Sequence, residues 1–180
     1  VAAGSETRLA LTVSLPPKLH VQADKPRDPS LIPTVLTVGA PPGVSVSNLI
    51  YPHPEDFLLE GEKVPLLVFD NEFAVGATIT VDDSVAAGDL TIPGRFRYQA
   101  CDDKMCFQPR TERFEWALNV VPAGTSIPRV EDAIFKELSG GRVTEAPEPE
   151  AFPLPGTPAG PTTARVDDGS AIARLANFEV

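Results

Sequence analysis

Residues 8–121 are written in short runs of period two, with no helical period between them. The run 8–15 sets the pattern. Leu9, Leu11, Val13 and Leu15 share one face, as in a half-buried strand, and Pro16-Pro17 ends it. In 91–100, Phe96, Tyr98 and Ala100 share a face while Arg95, Arg97 and Gln99 point the other way. In 113–121, Phe114, Trp116, Leu118 and Val120 point inward. Residues 19–23, 34–38, 44–49, 64–69 and 77–81 supply further strands, the longest runs being rich in Val, Ile, Thr, Phe and Tyr. Strands at this spacing predict an all-β chain folded as an antiparallel β-sandwich, with one core face and one wet face per sheet.

Composition narrows the choice. Twenty prolines in 180 residues are about twice the usual share and disfavour a helical bundle. An apolar fraction of 42% with 22% charged residues excludes a wholly disordered chain. The longest uncharged stretch, 29–54, is broken by Pro33, Gly39, Pro41, Pro42, Gly43 and Pro52, so it does not read as a membrane-spanning helix. A net charge of −10 argues against nucleic-acid binding, which needs clustered Lys and Arg. The chain opens at Val1 without a Met or a leader-like segment, as after removal of a signal peptide or trimming of the end.

Beyond Pro122 the character changes. Residues 128–138 place Val130, Ala133, Ile134 and Leu138 at helical spacing, with Pro128 in the first turn and Gly140-Gly141 as a stop, which predicts a short amphipathic helix. Six prolines between 145 and 163 read as a semi-extended linker. Ile172, Leu175 and Phe178 at spacing three fit one more helix or strand. The division expected is 1–122 as the sandwich domain, 123–141 as a helical extension and 142–180 as a Pro-rich tail leading to another part of a larger protein.

Chemistry concentrates at two cysteines. Cys101 and Cys106 lie between the two alternating runs, in what reads as the loop of a β-hairpin. A turn of four residues brings two thiols within reach of a disulfide. One reading is a structural staple, though a short loop stabilises less than one joining distant strands. The spacing favours redox exchange over stapling. A zinc site made with His20 and His53 lacks any spacing that would bring those histidines to the cysteines. Cysteine-dependent hydrolysis would need a His and an orienting partner, and the second cysteine makes exchange simpler.

The run Tyr98-Gln99-Ala100-Cys101…Cys106-Phe107…Pro109 resembles the active-site hairpin of the N-terminal periplasmic domain of the thiol:disulfide interchange protein DsbD family. Leu19-His20-Val21-Gln22…Lys25-Pro26 is similar to the family's early strand, and Phe69-Asp70-Asn71-Glu72-Phe73 to its cap loop. The resemblance spans roughly residues 8–121 and implies an immunoglobulin-like domain whose Cys101 and Cys106 cycle between dithiol and disulfide, without a cofactor. It implies Cys106 as the site of a mixed disulfide and Phe73 as an aromatic cap, with Asn71 and Glu72 beside it. His20 and Gln22 would stand where some members hold aromatics lining the site, and Tyr98 lies close along the chain. Further implications are a thioredoxin-like donor, periplasmic thioredoxin-fold acceptors including cytochrome c maturation proteins, and a membrane domain of the same parent protein. Asp102 and Asp103 disfavour a thiolate on Cys101 while Lys104 helps one of the two thiols; the cysteines are expected not to be strongly acidified, and the attacking thiolate to come from the donor. A non-redox binding module with a structural bridge is the alternative.

Overall fold

The computed structural model describes residues 1–127, 132–146, 163–165 and 171–175. In chain order the elements are β1 (Ser5–Ser14), β2 (His20–Gln22), β3 (Val35–Val38), β4 (Val44–Tyr51), β5 (Glu55–Phe57), β6 (Leu66–Asp70), β7 (Glu72–Val81), β8 (Gly88–Tyr98), β9 (Ala100–Cys101), β10 (Arg110–Val120), α1 (Ala133–Ser139), β11 (Arg142–Glu145), β12 (Thr163–Arg165) and β13 (Ala171–Leu175). A six-stranded sheet has the order β11-β4-β7-β1-β13-β12. The strands β10-β8-β3 form a second sheet, and β5-β6-β2-β9 a third. The sheets pack as a sandwich around one main apolar cluster.

The alternation read from the sequence is the alternation of burial. Leu9, Leu11 and Val13 of β1 meet Phe96, Trp116 and Leu118 from the opposite layer in that cluster. Each large side chain so buried contributes roughly 1.5–3 kcal/mol. Arg97 and Asn119, on the other faces of β8 and β10, are exposed. The indole Nε1–H of Trp116 donates to the carbonyl oxygen of Ala10 at 2.7 Å, so a polar bond inside the core also joins β10 to β1.

The outer face of the six-stranded sheet is not wet throughout. Helix α1 covers Ala10, Ile50 and Ala74 with Phe135 and Leu138. Close approach requires small residues beneath it. A Cβ on Gly76 would stand 2.8 Å from Leu138 Cδ1, and one on Gly141 would stand 2.6 Å from the Tyr51 carbonyl oxygen. Arg8 anchors the helix from below, its guanidinium 4.8 Å from the centre of the Phe135 ring and donating to the Phe135 carbonyl at 3.2 Å.

Two expectations are corrected here. The helix begins after an Asp132 cap, whose carboxylate accepts from the Ile134 N–H, and its buried face is Phe135 with Leu138. Ala133, expected on that face, is exposed. Starting the helix at 133 sets its phase, and the large aromatic turns inward because it has most apolar surface to remove from water. Residues 128–131, including Val130, lie outside the described residues.

The stretch 142–180, expected as linker and tail, contains sheet. β11 pairs antiparallel with β4 from Arg142↔Tyr51 to Glu145↔Asn48. Arg142 forms an ion pair with Asp24, whose side chain is only 6% exposed. β13 pairs in parallel with β1, from Leu9↔Ala171 to Val13↔Leu175. The edges of β4 and β1 present unpaired N–H and C=O groups, and these later segments satisfy them. The six prolines, from Pro147 to Pro161, lie outside the described residues.

Candidate redox site

The site forms where one strand passes from sheet to sheet. β8 ends at Tyr98, and after Gln99 the chain re-enters sheet structure as β9, now paired with β2 rather than β10. Gln99 helps hold the corner by donating from Nε2 to the Phe107 carbonyl at 2.9 Å. The Phe107 N–H donates to the Ala100 carbonyl at 2.8 Å, and the Asp102 N–H to the Met105 carbonyl at 2.9 Å. These bonds close a tight hairpin in which Cys101 and Cys106 are paired antiparallel and joined by a disulfide.

Asp102 builds the turn. Its Oδ1 accepts from the Lys104 and Met105 N–H groups, both at 2.7 Å. The Met105 and Lys104 bonds, in that order, hold its carboxyl below the ordinary aspartate value. The sequence reading gave Asp102 only an electrostatic effect on Cys101. The hydrogen-bond pattern gives it a folding role as well.

The two sulfurs differ in access. Cys101 is 2% exposed on β9, whereas Cys106 is exposed on the outer limb of the hairpin. Met105 beside it is 58% exposed. On the buried side, β2 supplies two polar residues. His20 is opposite Cys101 in register, and the Nε2–H of Gln22 donates to Cys101 Sγ at 3.8 Å.

His20 is 2% exposed, with its ring centre 4.2 Å from that of Phe57 and its Nε2 without a hydrogen-bond partner among the described residues. Burial pushes its pKa below the ordinary histidine value, against the opposing pull of the Asp70 and Asp102 carboxylates. Asp70 is its register partner on β6. His20 and Gln22 thus stand against Cys101 of the hairpin. Phe57 carried no signal in the sequence, because β5 is three residues long and follows Pro52 and Pro54. Asp70 was within the quoted cap segment but had no role assigned to it.

The cap segment divides, Asp70 lying beside His20 and Phe73 turning into the core. Phe73 is 6% exposed in the main core, its ring centre 5.1 Å from Phe69 and 6.5 Å from Phe96. Phe96 in turn is 5.7 Å from Tyr98, so these rings form a row through the sandwich that ends below the hairpin. Phe73 and Tyr98 are therefore placed as core residues. Asn71 takes up the left-handed conformation at φ 52°, which asparagine tolerates, and turns the chain from β6 into β7. Its carbonyl accepts from the Leu15 N–H at 2.7 Å. Glu72 is exposed and accepts from Ser14 Oγ at 2.8 Å. His53 is exposed between β4 and β5, and among the described residues no cluster of His, Cys, Asp or Glu is arranged to hold a metal ion.

A buried sulfur bonded to an exposed one in a pinned hairpin is the arrangement of a thiol–disulfide centre. Residues 1–118 match the family described as thiol:disulfide interchange protein DsbD, N-terminal. The chain belongs to that family. As a DsbD N-terminal domain it is a periplasmic thiol–disulfide module of immunoglobulin-like fold. No curated protein matches the chain. Helix α1 and strands β11 to β13 lie beyond the region matched to the DsbD family.

Proposed function

We propose that Cys101 and Cys106 relay two electrons from a thioredoxin-like donor to periplasmic thioredoxin-fold acceptors, as a protein-disulfide reductase component of a larger DsbD-type protein with a membrane domain. The difference in exposure between the two sulfurs carries this reading. A donor thiolate attacks Cys106 Sγ, a mixed disulfide forms, and the electron pair of the broken bond leaves on Cys101. A second donor thiolate then attacks its own sulfur in the mixed disulfide and releases Cys106. The donor ends as a disulfide and the domain as a dithiol, with two electrons and two protons transferred. The reduced pair passes them on by the reverse sequence, Cys106 attacking the acceptor's disulfide and Cys101 resolving the product. No cofactor takes part.

The test is the equilibrium reduction potential of the pair against glutathione. A value between about −180 and −270 mV, the range of thioredoxin-like exchangers, supports the relay. A value below about −300 mV refutes it and leaves a binding module with a structural bridge. Trapping identifies the exposed partner in the reaction. A Cys101→Ser chain is expected to hold a thioredoxin-fold protein in a stable mixed disulfide through Cys106, and a Cys106→Ser chain is not.

A further inference from the structure

We propose that Gln22 is a catalytic residue of this domain, the hydrogen-bond donor that receives the leaving thiolate on Cys101; the proposal rests on the relay reading above. Gln22 is 0% exposed on β2, and a long polar side chain is costly to keep buried. Its position is fixed by the sheet. It is paired with Val68 on β6, and its backbone carbonyl accepts from Thr34 Oγ1 at 2.5 Å.

Among the described residues the side-chain amide has one hydrogen-bonding contact, the 3.8 Å donation from Nε2 to Cys101 Sγ, while Oε1 is buried without a partner. A disulfide sulfur carries no proton, so only the nitrogen end of the amide makes a hydrogen bond with it. Against a neutral sulfur that bond is weak. Once the electron pair arrives on Cys101, the acceptor is an anion, and hydrogen bonds to ions are roughly twice as strong as neutral ones. The interaction therefore strengthens as the S–S bond breaks, the condition for speeding the step rather than merely binding the ground state. Burial of Cys101 disfavours its thiolate. Asp70 and Asp102, the carboxylates that face neighbouring His20, also disfavour a second negative charge. Gln22 supplies a donor without adding charge or admitting water.

The balance of the step is simple. The incoming thiolate, from dithiothreitol or a dithiol protein, forms a bond to Cys106 Sγ. The Cys101–Cys106 bond breaks, and the pair resides on Cys101 Sγ facing the Gln22 N–H until solvent protonates it.

Gln22→Met keeps length and apolarity but removes the donor. In the otherwise unaltered chain, reduction of the disulfide by dithiothreitol is expected to slow about three- to tenfold. In a Cys106→Ser background, the pH midpoint for forming the Cys101 thiolate, followed by its ultraviolet absorbance, is expected to rise by about one unit. A slowed reduction with an unmoved midpoint overturns the proposal, because loss of packing alone would give it, and so does an unchanged rate. Should Gln22→Met not fold, the Cys106→Ser chain alone decides. Its Gln22 side-chain amide resonances are expected to follow the Cys101 titration, and resonances that stay fixed overturn the proposal. These titrations need no partner exchange. A structural bridge would appear in the reduction potential of the unaltered pair, and a Gln22 without this role in an unmoved titration.

Discussion

Phe73→Ala separates two roles for one side chain. The resemblance implies a cap over the bridge, whose loss would leave folding nearly intact and speed reaction with small thiols. The structure places the ring at 6% exposure between Phe69 and Phe96. Truncating a buried Phe to Ala costs about 3–5 kcal/mol, which includes the cavity left behind and the lost ring contacts. For a domain of this size each kcal/mol lowers Tm by roughly 2–4 °C, so a fall of about 6–20 °C is expected. The chain's single tryptophan, Trp116, is fully buried, and its fluorescence reports the transition directly. Measured well below the transition, the rate of reduction by dithiothreitol is expected to stay within about twofold of the parent, a change of about 0.4 kcal/mol in barrier. A Tm within a degree or two of the parent together with accelerated reduction would refute the core placement and restore the cap.

Arg142→Ala removes the partner of a nearly buried Asp24 and is expected to cost about 3 kcal/mol in urea unfolding; a change under ~0.5 kcal/mol would show that β11 contributes nothing to the domain. Trp116→Phe leaves the Ala10 carbonyl without its indole donor, for an expected loss of about 1–3 kcal/mol by thermal unfolding followed with circular dichroism. Asp102→Ala should accelerate amide exchange at Lys104 and Met105 several-fold while exchange in β10 stays unchanged. His20 has a lowered pKa in the folded chain, so between pH 6.5 and that lower value the unfolded state binds more protons, and stability falls as pH falls. A His20→Phe chain should lose this slope, as unfolding free energies measured from pH 7.5 to 5 will show.

Much of the sandwich is legible because one rule, alternation, decides both burial and strand direction. Phe96, Trp116 and Leu118 face inward as their spacing requires. The rule fails where a second element covers the outer face: Ala10 and Ala74 are buried by α1, and nothing in β1 or β7 announces a helix from residue 133 onward. β7 begins at Glu72, earlier than its apolar run implies, because backbone pairing with β1 needs no particular side chains. β13 was readable only as one more helix or strand, because its partner is the edge of β1 rather than an apolar period of its own. At the site, the cysteines were visible as a pair. Spacing alone does not reach their surroundings, because the register His20↔Cys101 joins segments about eighty residues apart. The cap segment carries the right residue types, yet the turn at Asn71 sends Phe73 down the inner face of β7.

The ion pair of Arg142 with Asp24 also gathers in the chain that follows the sandwich. From Pro122 to Ala146 are 24 residues of slack, roughly 80 Å if fully extended. With α1 and β11 laid onto the sheet, that slack is taken in. On the proposed relay, a partner domain borne on the same chain would be held on a shorter leash, which raises its local concentration by an amount set by length rather than by any new contact.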